Sequence, residues 1–323
     1  MDQNVLITSA GQRVSLVRIF QKTLREKGYT SRVFTTDMFP DMSPACMASD
    51  RFFHVLSVLH KDYISQLLEI CLENDITLIV PTIDTELLVL SENLHLFAEY
   101  GIQVVLSDNA LIHRCRDKKS TIQLFDQLEI NYPKQYLKNE VEFPLFIKPV
   151  YGSLSQNLHV FHHSLEFSPT DFSEEDYLFM EYFDKSQYQE FTIDAYYDKS
   201  SHMVMAVPRE RIQVRAGEIC KGITRKNEVL NWVKNKLGFL EGARACLTIQ
   251  VFLHRESQEI FGIEINPRFG GGYPLSYHAG ANFPALLIEE YLENKSFAYS
   301  ECWEENTLML RYDDEIIMKD YHG

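Results

Sequence analysis

Apolar strand-like segments alternate with helical patterns over the first 107 residues, and this alternation constrains the fold more than any other feature. An apolar run at 4–8 ends in a small-residue turn, and apolar spacing over 14–24 predicts a helix that Gly28 ends. A second helix is predicted at 63–71, and further strands at 31–36, 77–80 and 103–107. Strands that alternate with helices indicate βαβ units and therefore a Rossmann-like parallel sheet.

The pattern changes after residue 107. One polar-faced helix is predicted over 111–128, and later helices over 227–237 and 284–292. Between them lie short strand-like runs at 133–138, 145–148, 158–161, 177–182, 190–197, 203–207, 245–254 and 260–266. Runs of strands with few helices are typical of α+β domains. The sequence therefore predicts an α/β region followed by an α+β region.

The segment FPLFIKPVYGSLSQN, at 143–157, could bind phosphate. A buried strand delivers Lys148, Pro149 prevents further pairing, and Gly152 and Ser153 open a loop of small polar residues. Such a segment can place an ammonium beside a phosphate while loop N–H groups surround it. A solvated lysine at a strand end is the alternative, and the glycine–lysine order of a P-loop is absent from the sequence.

A second polar set lies in TIQVFLHRESQEIFGIEINPRFGGG. Gln250 and Glu264 belong to adjacent strands of a predicted hairpin, and Glu264 and Asn266 project from one strand face. One carboxylate and two carboxamides are hard oxygen ligands that magnesium accepts. Arg268, on the same alternating face, could hold a transferring phosphoryl group. An Asn-Pro turn closing a strand is the alternative.

Together, the two segments resemble the ATP-grasp superfamily, specifically its carbamoyl-phosphate-synthetase-large-subunit-like branch of carboxylate–amine ligases, over about residues 108–290. The resemblance implies a pre-ATP-grasp α/β domain at 1–107 and a two-lobed ATP-grasp domain. Its small lobe would span 108–183 and its large lobe 184–298, with a C-terminal tail at 299–323.

The resemblance also implies residue roles. The implied nucleotide contacts are Lys118, Lys148, Gly152, Ser153, Ser155, Glu181, Tyr182 and Glu190. The implied metal ligands are Gln250, Glu264 and Asn266, although many family members have an acidic residue where Gln250 stands. The implied catalytic residues are Lys148, Arg268, Arg211 and Arg215. Arg211 and Arg215 lie with Arg209 in an extended run, and the alternation of this run predicts that all three side chains project from one face. The alternative is a solvated edge strand on which the charges prevent further strand pairing.

An ATP-dependent ligase that joins a carboxylate to an amine through an acyl phosphate is the function that the resemblance implies. The implied cofactors are ATP and Mg²⁺, with Mn²⁺ as a substitute. Two alternatives remain: a regulatory module that binds Mg-ATP without ligase activity, and a single-copy synthetase-like subunit that needs partners. The identity of the substrates is not legible from the sequence. Asp84 and Glu86 could contact the acceptor, or Asp84 could cap a helix.

Composition limits the partners. A net charge of −15 and a pI of about 5.2 argue against binding to nucleic acid or anionic membranes. No uninterrupted apolar run reaches membrane-spanning length, and the six cysteines are scattered. We therefore expect a cytoplasmic protein that acts on small molecules and could form a homodimer. The turn TSAGQR has a single glycine and is interpreted as structural rather than as a phosphate loop.

Overall fold

The computed structural model describes residues 3–151, 157–215 and 217–321. Residues 3–107 contain a parallel sheet with the strand order β3-β2-β1-β4-β5. Strands β1 to β5 are Asn4–Thr8, Val33–Asp37, Arg51–His54, Ile76–Pro81 and Gln103–Val104. Every residue of β1 is buried, because a central parallel strand is covered on both faces. The predicted Rossmann-like sheet is thus confirmed.

Helices cover both faces of this sheet. Helices α1 to α5 are Val14–Glu26, Pro44–Ala48, Tyr63–Glu73, Asp84–Glu92 and Leu94–Ala98, and a 3₁₀ helix spans Pro40–Met42. Gly28 follows the end of helix α1 by two residues, and its φ of 78° lies in the left-handed region that glycine adopts without strain. The helices α3, α4 and α5 contribute to an apolar cluster distinct from the one that contains α1.

The single helix predicted over 111–128 is wrong, because two helices occupy this segment. They are α6, Asn109–Arg116, and α7, Lys118–Gln127. Asp117 between them is extended, and its side chain accepts a hydrogen bond of 2.9 Å from the backbone N–H of Lys119. This N-cap starts a new helix and makes Lys118 its first residue.

A small antiparallel sheet follows, with the strand order β6-β9-β7-β8. Within the described residues its strands β6 to β9 are Gln135–Tyr136, Leu145–Pro149, His159–Phe161 and Tyr177–Glu181. Short 3₁₀ helices lie at Ser164–Glu166 and Pro169–Asp171. Apolar residues on the two faces form two small clusters, one of which includes Ile122 of α7.

A larger antiparallel sheet has the strand order β14-β13-β10-β11-β12-β15. In the described part of the chain, strands β10 to β15 are Tyr188–Tyr197, Met203–Arg215, Glu218–Thr224, Ala245–His254, Ile260–Asn266 and Leu308–Leu310. The accompanying helices α8 to α10 are Glu228–Leu237, Tyr273–His278 and Phe283–Tyr291. Strand β11 extends well past the predicted end at residue 207, because β12 pairs along its second half.

One continuous apolar core joins the parallel sheet to the large antiparallel sheet. The rings of Phe20 in α1 and Phe269 after β14 meet edge to face at 6.1 Å. Thr23 of α1 also donates a hydrogen bond of 3.2 Å to Asn282 at the start of α10. This packing brings the end of β14 beside the loops that follow β1 and β4. None of the helices in the described ranges combines the length and hydropathy needed to cross a membrane.

Candidate active site

Glu264 lies at the centre of the set predicted to bind metal. Gln250 of β13 is its register partner, and Asn266 lies two residues further along β14. Both carboxamides donate to Oε1 of Glu264, from Gln250 at 2.8 Å and from Asn266 at 3.0 Å. The second carboxylate oxygen and the amide carbonyls remain as hard oxygen ligands, a donor set that fits Mg²⁺ together with phosphate oxygens. This set has one acidic residue, and no group of three or more His, Cys, Asp or Glu suited to a metal occurs elsewhere in the described residues.

Two lysines face this carboxylate from other elements. Lys148 is near the end of β7 and only 8% exposed. Burial lowers the pKa of Lys148 to about 8, while the charge of Glu264 opposes that shift and Lys118 adds to it. Burial also lowers the pKa of Lys118, again against Glu264. The Lys118 ammonium donates to the Val150 carbonyl at 3.3 Å, so α7 is fixed to the end of β7.

Glu190 and Arg211 form the next part of the site, on β10 and β11. Their side chains form an ion pair with Nε and Oε1 3.0 Å apart, and both are largely buried. Burial raises the pKa of Glu190, and the Arg211 guanidinium counteracts it. Arg211 also donates to the Thr192 hydroxyl and the Gly217 carbonyl, each at 3.2 Å. Glu264 acts on the charge of Glu190 as well, so the two carboxylates belong to one neighbourhood.

Arg268 links the large sheet to the parallel-sheet region. It lies just beyond β14 and donates to Oδ2 of Asp84 at 2.9 Å, with both side chains mostly buried. Burial alone would lower the pKa of Arg268, but Asp84, Glu264 and Glu218 outweigh it, so this pKa is raised. Asp84 is the first residue of α4 and makes no capping hydrogen bond, so the ion pair replaces the helix-cap interpretation.

Glu86 does not line a solvent-accessible surface. Its side chain is fully buried and accepts a hydrogen bond from the Tyr63 hydroxyl. Burial raises the pKa of Glu86. The position therefore supports the packing of α3 and α4 rather than contact with a substrate.

The other predicted residues lie apart from this cluster or outside the described residues. Glu181 ends β9 and accepts from the Lys134 backbone N–H at 3.3 Å, and the neighbouring Tyr182 ring packs against His162. Arg215 has a side chain that is 60% exposed and pairs with Asp313. A register shift in β11 between Arg211 and Val214 moves it out of the alternation that starts at Arg209. Gly152, Ser153 and Ser155 fall outside the described residues.

Sequence reasoning missed three charged groups close to Arg268. Arg13 opens α1, Glu218 opens β12 and Arg311 follows β15. The charges of Arg268, Glu218, Asp84 and Arg311 act on Arg13, and Glu218 acts on Arg268 as well. Arg13 belongs to the TSAGQR turn, where Gly11 adopts a φ of 50° and its N–H donates to Asp37 at 2.9 Å. The turn does have a structural role, but its final arginine also faces the candidate site.

Two family models match the chain. One, described as the PylC-like N-terminal domain, matches residues 5–105. The other, described as an ATP-grasp domain in the biosynthetic pathway with Ter operon, matches residues 173–309. No curated protein sequence matches the chain.

Solved structures share the fold at low sequence identity. The biotin carboxylase domain of Hydrogenobacter thermophilus 2-oxoglutarate carboxylase, a dimer with MgADP, ADP and bicarbonate, has a TM-score of 0.70 and 13% identity over 95% of this chain and 73% of that one. N5-carboxyaminoimidazole synthetase from Staphylococcus aureus, in complex with ADP, has a TM-score of 0.68 and 12% identity. The match covers 96% of this chain and 81% of that one. N5-carboxyaminoimidazole ribonucleotide synthetase from Thermotoga maritima has a TM-score of 0.65 and 16% identity. The match covers 93% of this chain and 78% of that one.

Proposed function

Because the chain belongs to the ATP-grasp superfamily, we propose that it is an ATP-dependent, ADP-forming ligase that joins a carboxylate to an amine on small molecules. The observation that carries this proposal is the convergence of Lys118, Lys148 and Glu264 from α7, β7 and β14. One buried and one partly buried ammonium group facing one carboxylate suit a metal-bound triphosphate, whose negative charge needs cations on both sides.

ATP would lie between the small and large antiparallel sheets. The two lysines are assigned to the phosphates, together with Gly152, Ser153 and Ser155. Glu181 and Tyr182 are assigned to the adenine, and Glu190 to the ribose hydroxyls. Relatives of the same fold hold ADP. Glu190 is paired with Arg211 here, so ribose hydroxyls would compete with that guanidinium for the carboxylate.

Gln250, Glu264 and Asn266 are assigned to Mg²⁺, for which Mn²⁺ could substitute. The bound ion would supply positive charge to the β- and γ-phosphates. Because position 250 is a glutamine, where many family members have an acidic residue, the protein contributes a single negative charge through this set. Most of the remaining ligands must therefore come from phosphate oxygens and water.

The chemistry makes a poor electrophile reactive. A substrate carboxylate oxygen attacks the γ-phosphorus of ATP, and the bond from that phosphorus to the β,γ-bridging oxygen breaks. ADP is the leaving group, and the product is an acyl phosphate. The amine then attacks the acyl carbon, expels inorganic phosphate and loses a proton to form the amide. Lys148 and Arg268 are assigned to the charge on the transferred phosphoryl group. Arg211 and Arg215 are assigned to phosphate or the substrate carboxylate, and Arg215 would have to leave its exposed pair with Asp313 to take part.

The proposal includes the organisation of the chain. Its divisions are an α/β domain at 1–107, a small lobe at 108–183, a large lobe at 184–298 and a C-terminal segment at 299–323, within the carbamoyl-phosphate-synthetase-like branch. The partners are small molecules rather than nucleic acid or membranes, and the assembly could be a homodimer, as in the biotin carboxylase domain from Hydrogenobacter thermophilus. All six cysteines are free thiols, which supports a cytoplasmic location.

The test is ADP release in a screen that pairs amino acids with assorted carboxylates, sugar acids included. One stimulated pair would identify the substrate class.

Lys148→Ala and Glu264→Ala should then each lower turnover by at least about a hundredfold, as expected for groups that stabilise transition-state charge. The matched controls Lys61→Ala and Glu256→Ala remove exposed groups of the same type. Near-normal turnover in either site variant, with an unchanged circular-dichroism spectrum, would refute the assignment. Mg-ATP binding without stimulation by any pair would favour a regulatory module.

A further inference from the structure

Strand β15 forms one edge of the large antiparallel sheet, and the described residues place no strand on its outer side. The Arg311 N–H donates to the Cys220 carbonyl at 2.8 Å, and the register of β15 with β12 makes Met309 the preceding hydrogen-bonded position. Leu308 and Leu310 occupy the alternate positions, so their backbone N–H and C=O groups point away from β12. Two donors and two acceptors thus face outward along this edge.

The opposite edge of the same sheet is covered by the chain itself. In β14 the Gly262 N–H donates to the Asn131 carbonyl at 2.7 Å, and a Cβ on Gly262 would lie 2.9 Å from the Phe125 ring of α7. Proteins protect uncovered edges with charged residues or proline, which prevent pairing with another chain. Strand β15 has the sequence Leu-Met-Leu and carries neither. An apolar edge without this protection is a site for the addition of a strand.

Apolar side chains are exposed along β15 and the segment that follows it. Alternation places Leu308, Leu310 and Tyr312 on one face, opposite to Arg311, whose guanidinium donates to the Gly271 carbonyl at the candidate site. The three apolar residues are 53%, 62% and 78% exposed. The other exposed large apolar residues of this segment are Ile316, Ile317, Met318 and Tyr321. A contiguous apolar surface of this kind marks an interaction site.

Contacts within the chain hold the edge in place. The Thr224 N–H donates to the Thr307 carbonyl at 3.1 Å, and Arg215 pairs with Asp313. Together with the contact of Arg311 to Gly271, these bonds fix both ends of the edge segment. An edge that is already ordered loses less conformational entropy when it associates.

We propose that β15 pairs antiparallel with β15 of a second copy of this chain across a two-fold axis, so that the two large sheets become continuous. An antiparallel edge is complementary to itself, because each copy offers the same outward donors and acceptors. The inference names a contact surface for the homodimer and does not depend on the ligase function. Because Asp313, Asp314 and Glu315 lie in the same segment, an anionic membrane would be repelled.

The exposed area fits a second copy. Tyr312 and Tyr321 are 78% and 51% exposed and offer roughly 200–300 Å² between them. With the five exposed Leu, Ile and Met side chains of the segment, the surface is on the order of the 800 Å² that each partner buries in a standard interface.

The first experiment measures the mass of the full chain by analytical ultracentrifugation from about 1 to 100 μM. Leu310→Lys and Ile317→Lys each place a charge in the proposed contact. Leu59→Lys is the matched control, because Leu59 is 82% exposed and lies between β3 and α3. We expect dimers for the wild type and the control. In the other two variants the dissociation constant should rise by about a hundredfold or more, since each two-fold contact would bury two lysines, while the circular-dichroism spectrum stays unchanged.

Hydrogen exchange of single amides tests the strand pairing itself. The outward N–H groups of Leu308 and Leu310 should exchange rapidly in dilute monomer and slow by about tenfold or more in the dimer. The Met309 amide, which faces β12, is the internal reference and should be protected in both. A wild type that is monomeric over the whole range would overturn the inference and leave the edge to a different protein. So would an unchanged dimer in both lysine variants, or a dimer in which the Leu308 and Leu310 amides exchange as fast as in the monomer.

Discussion

Glu264 influences more of the candidate site than any other single residue. It accepts two carboxamide hydrogen bonds through one oxygen and acts electrostatically on both lysines. At Lys148 two effects compete: burial favours the neutral amine, whereas the carboxylate favours the ammonium. Burial prevails and the pKa falls to about 8, yet the group remains mostly protonated near neutral pH. One carboxylate therefore both offers a metal ligand and keeps a buried cation charged.

Replacing Glu264 should change the titration of Lys148 in a defined direction. Glu264→Gln removes the charge that raises this pKa, so the pKa should fall below about 8. Lys118→Met removes a like charge and should raise it. The measurement is a titration of the Lys148 side-chain ¹³C signal in ¹³C-lysine-labelled protein, assigned with Lys148→Met. Glu256→Gln changes an exposed residue and should leave the titration midpoint of Lys148 the same as in the wild type. A midpoint that rises in Glu264→Gln would contradict the electrostatic reading.

At the scale of elements, a buried ion pair joins β10, β11 and α9. The Arg209 guanidinium donates to both oxygens of Asp194 at 2.7 and 2.9 Å, and the Ser276 hydroxyl donates to the same carboxylate at 2.6 Å. Both charged side chains are at most 1% exposed. A Cβ on Gly272 would lie 2.1 Å from Nη1 of Arg209, so the pair also fixes the segment after Arg268. The position of Arg268 thus depends on the buried network of Arg209, Asp194 and Ser276.

Arg209→Ala should be much more destabilising than Arg215→Ala. The first variant leaves the Asp194 carboxylate buried without its partner, which costs about 3–5 kcal/mol of unfolding free energy. The second breaks the exposed pair with Asp313, which contributes at most about 1 kcal/mol. Urea unfolding of the two variants and the wild type measures both values. Similar losses in the two variants would show that Arg209 does not have the structural role assigned to it.

Elements with a strong periodic pattern could be predicted, and those defined by distant contacts could not. The apolar runs of β1 and β13 and the amphipathic spacing of α1 are local signals, and the structure confirms these elements. Strand β15 has three residues and exists only because β12 is beside it. The break between α6 and α7 depends on one Asp117 side chain, which the apolar periodicity of the segment conceals.

The same distinction applies to the candidate site. Gln250 pairs with Glu264 in the hairpin, and Glu264 and Asn266 lie two residues apart on one strand, so their grouping could be predicted from the sequence. Arg13 and Arg311 are about 300 residues apart and lie in no motif. Only the packing of α1 on the large-sheet region brings them together, and such packing has no local sequence signal.

At the scale of the whole molecule, the apolar core is divided unequally. The parallel sheet and the large antiparallel sheet share one cluster, which runs from Val5 and Phe20 to Leu247 and Phe283. The small sheet, with β6 to β9, relies on two clusters of four buried residues each among the residues described, and one of these eight residues, Ile122, belongs to α7. Buried apolar area sets the free energy of local opening, so the small sheet should be the least stable of the three.

Hydrogen exchange followed by mass spectrometry should show this division. Amides of β7 and β9 should exchange through openings of lower free energy than those of β1, β10 and β13, which belong to the shared core. Mg-ATP should slow exchange in β7 more than in β1, because a ligand held by Lys148 on one side and Glu264 on the other restrains the small sheet against the large one. In Glu264→Ala this additional protection should be lost while the ligand-free exchange rates stay the same. Uniform protection across the three sheets would contradict the lower stability of the small sheet, and nucleotide-induced slowing confined to β1 would contradict the placement of ATP between the small and large sheets.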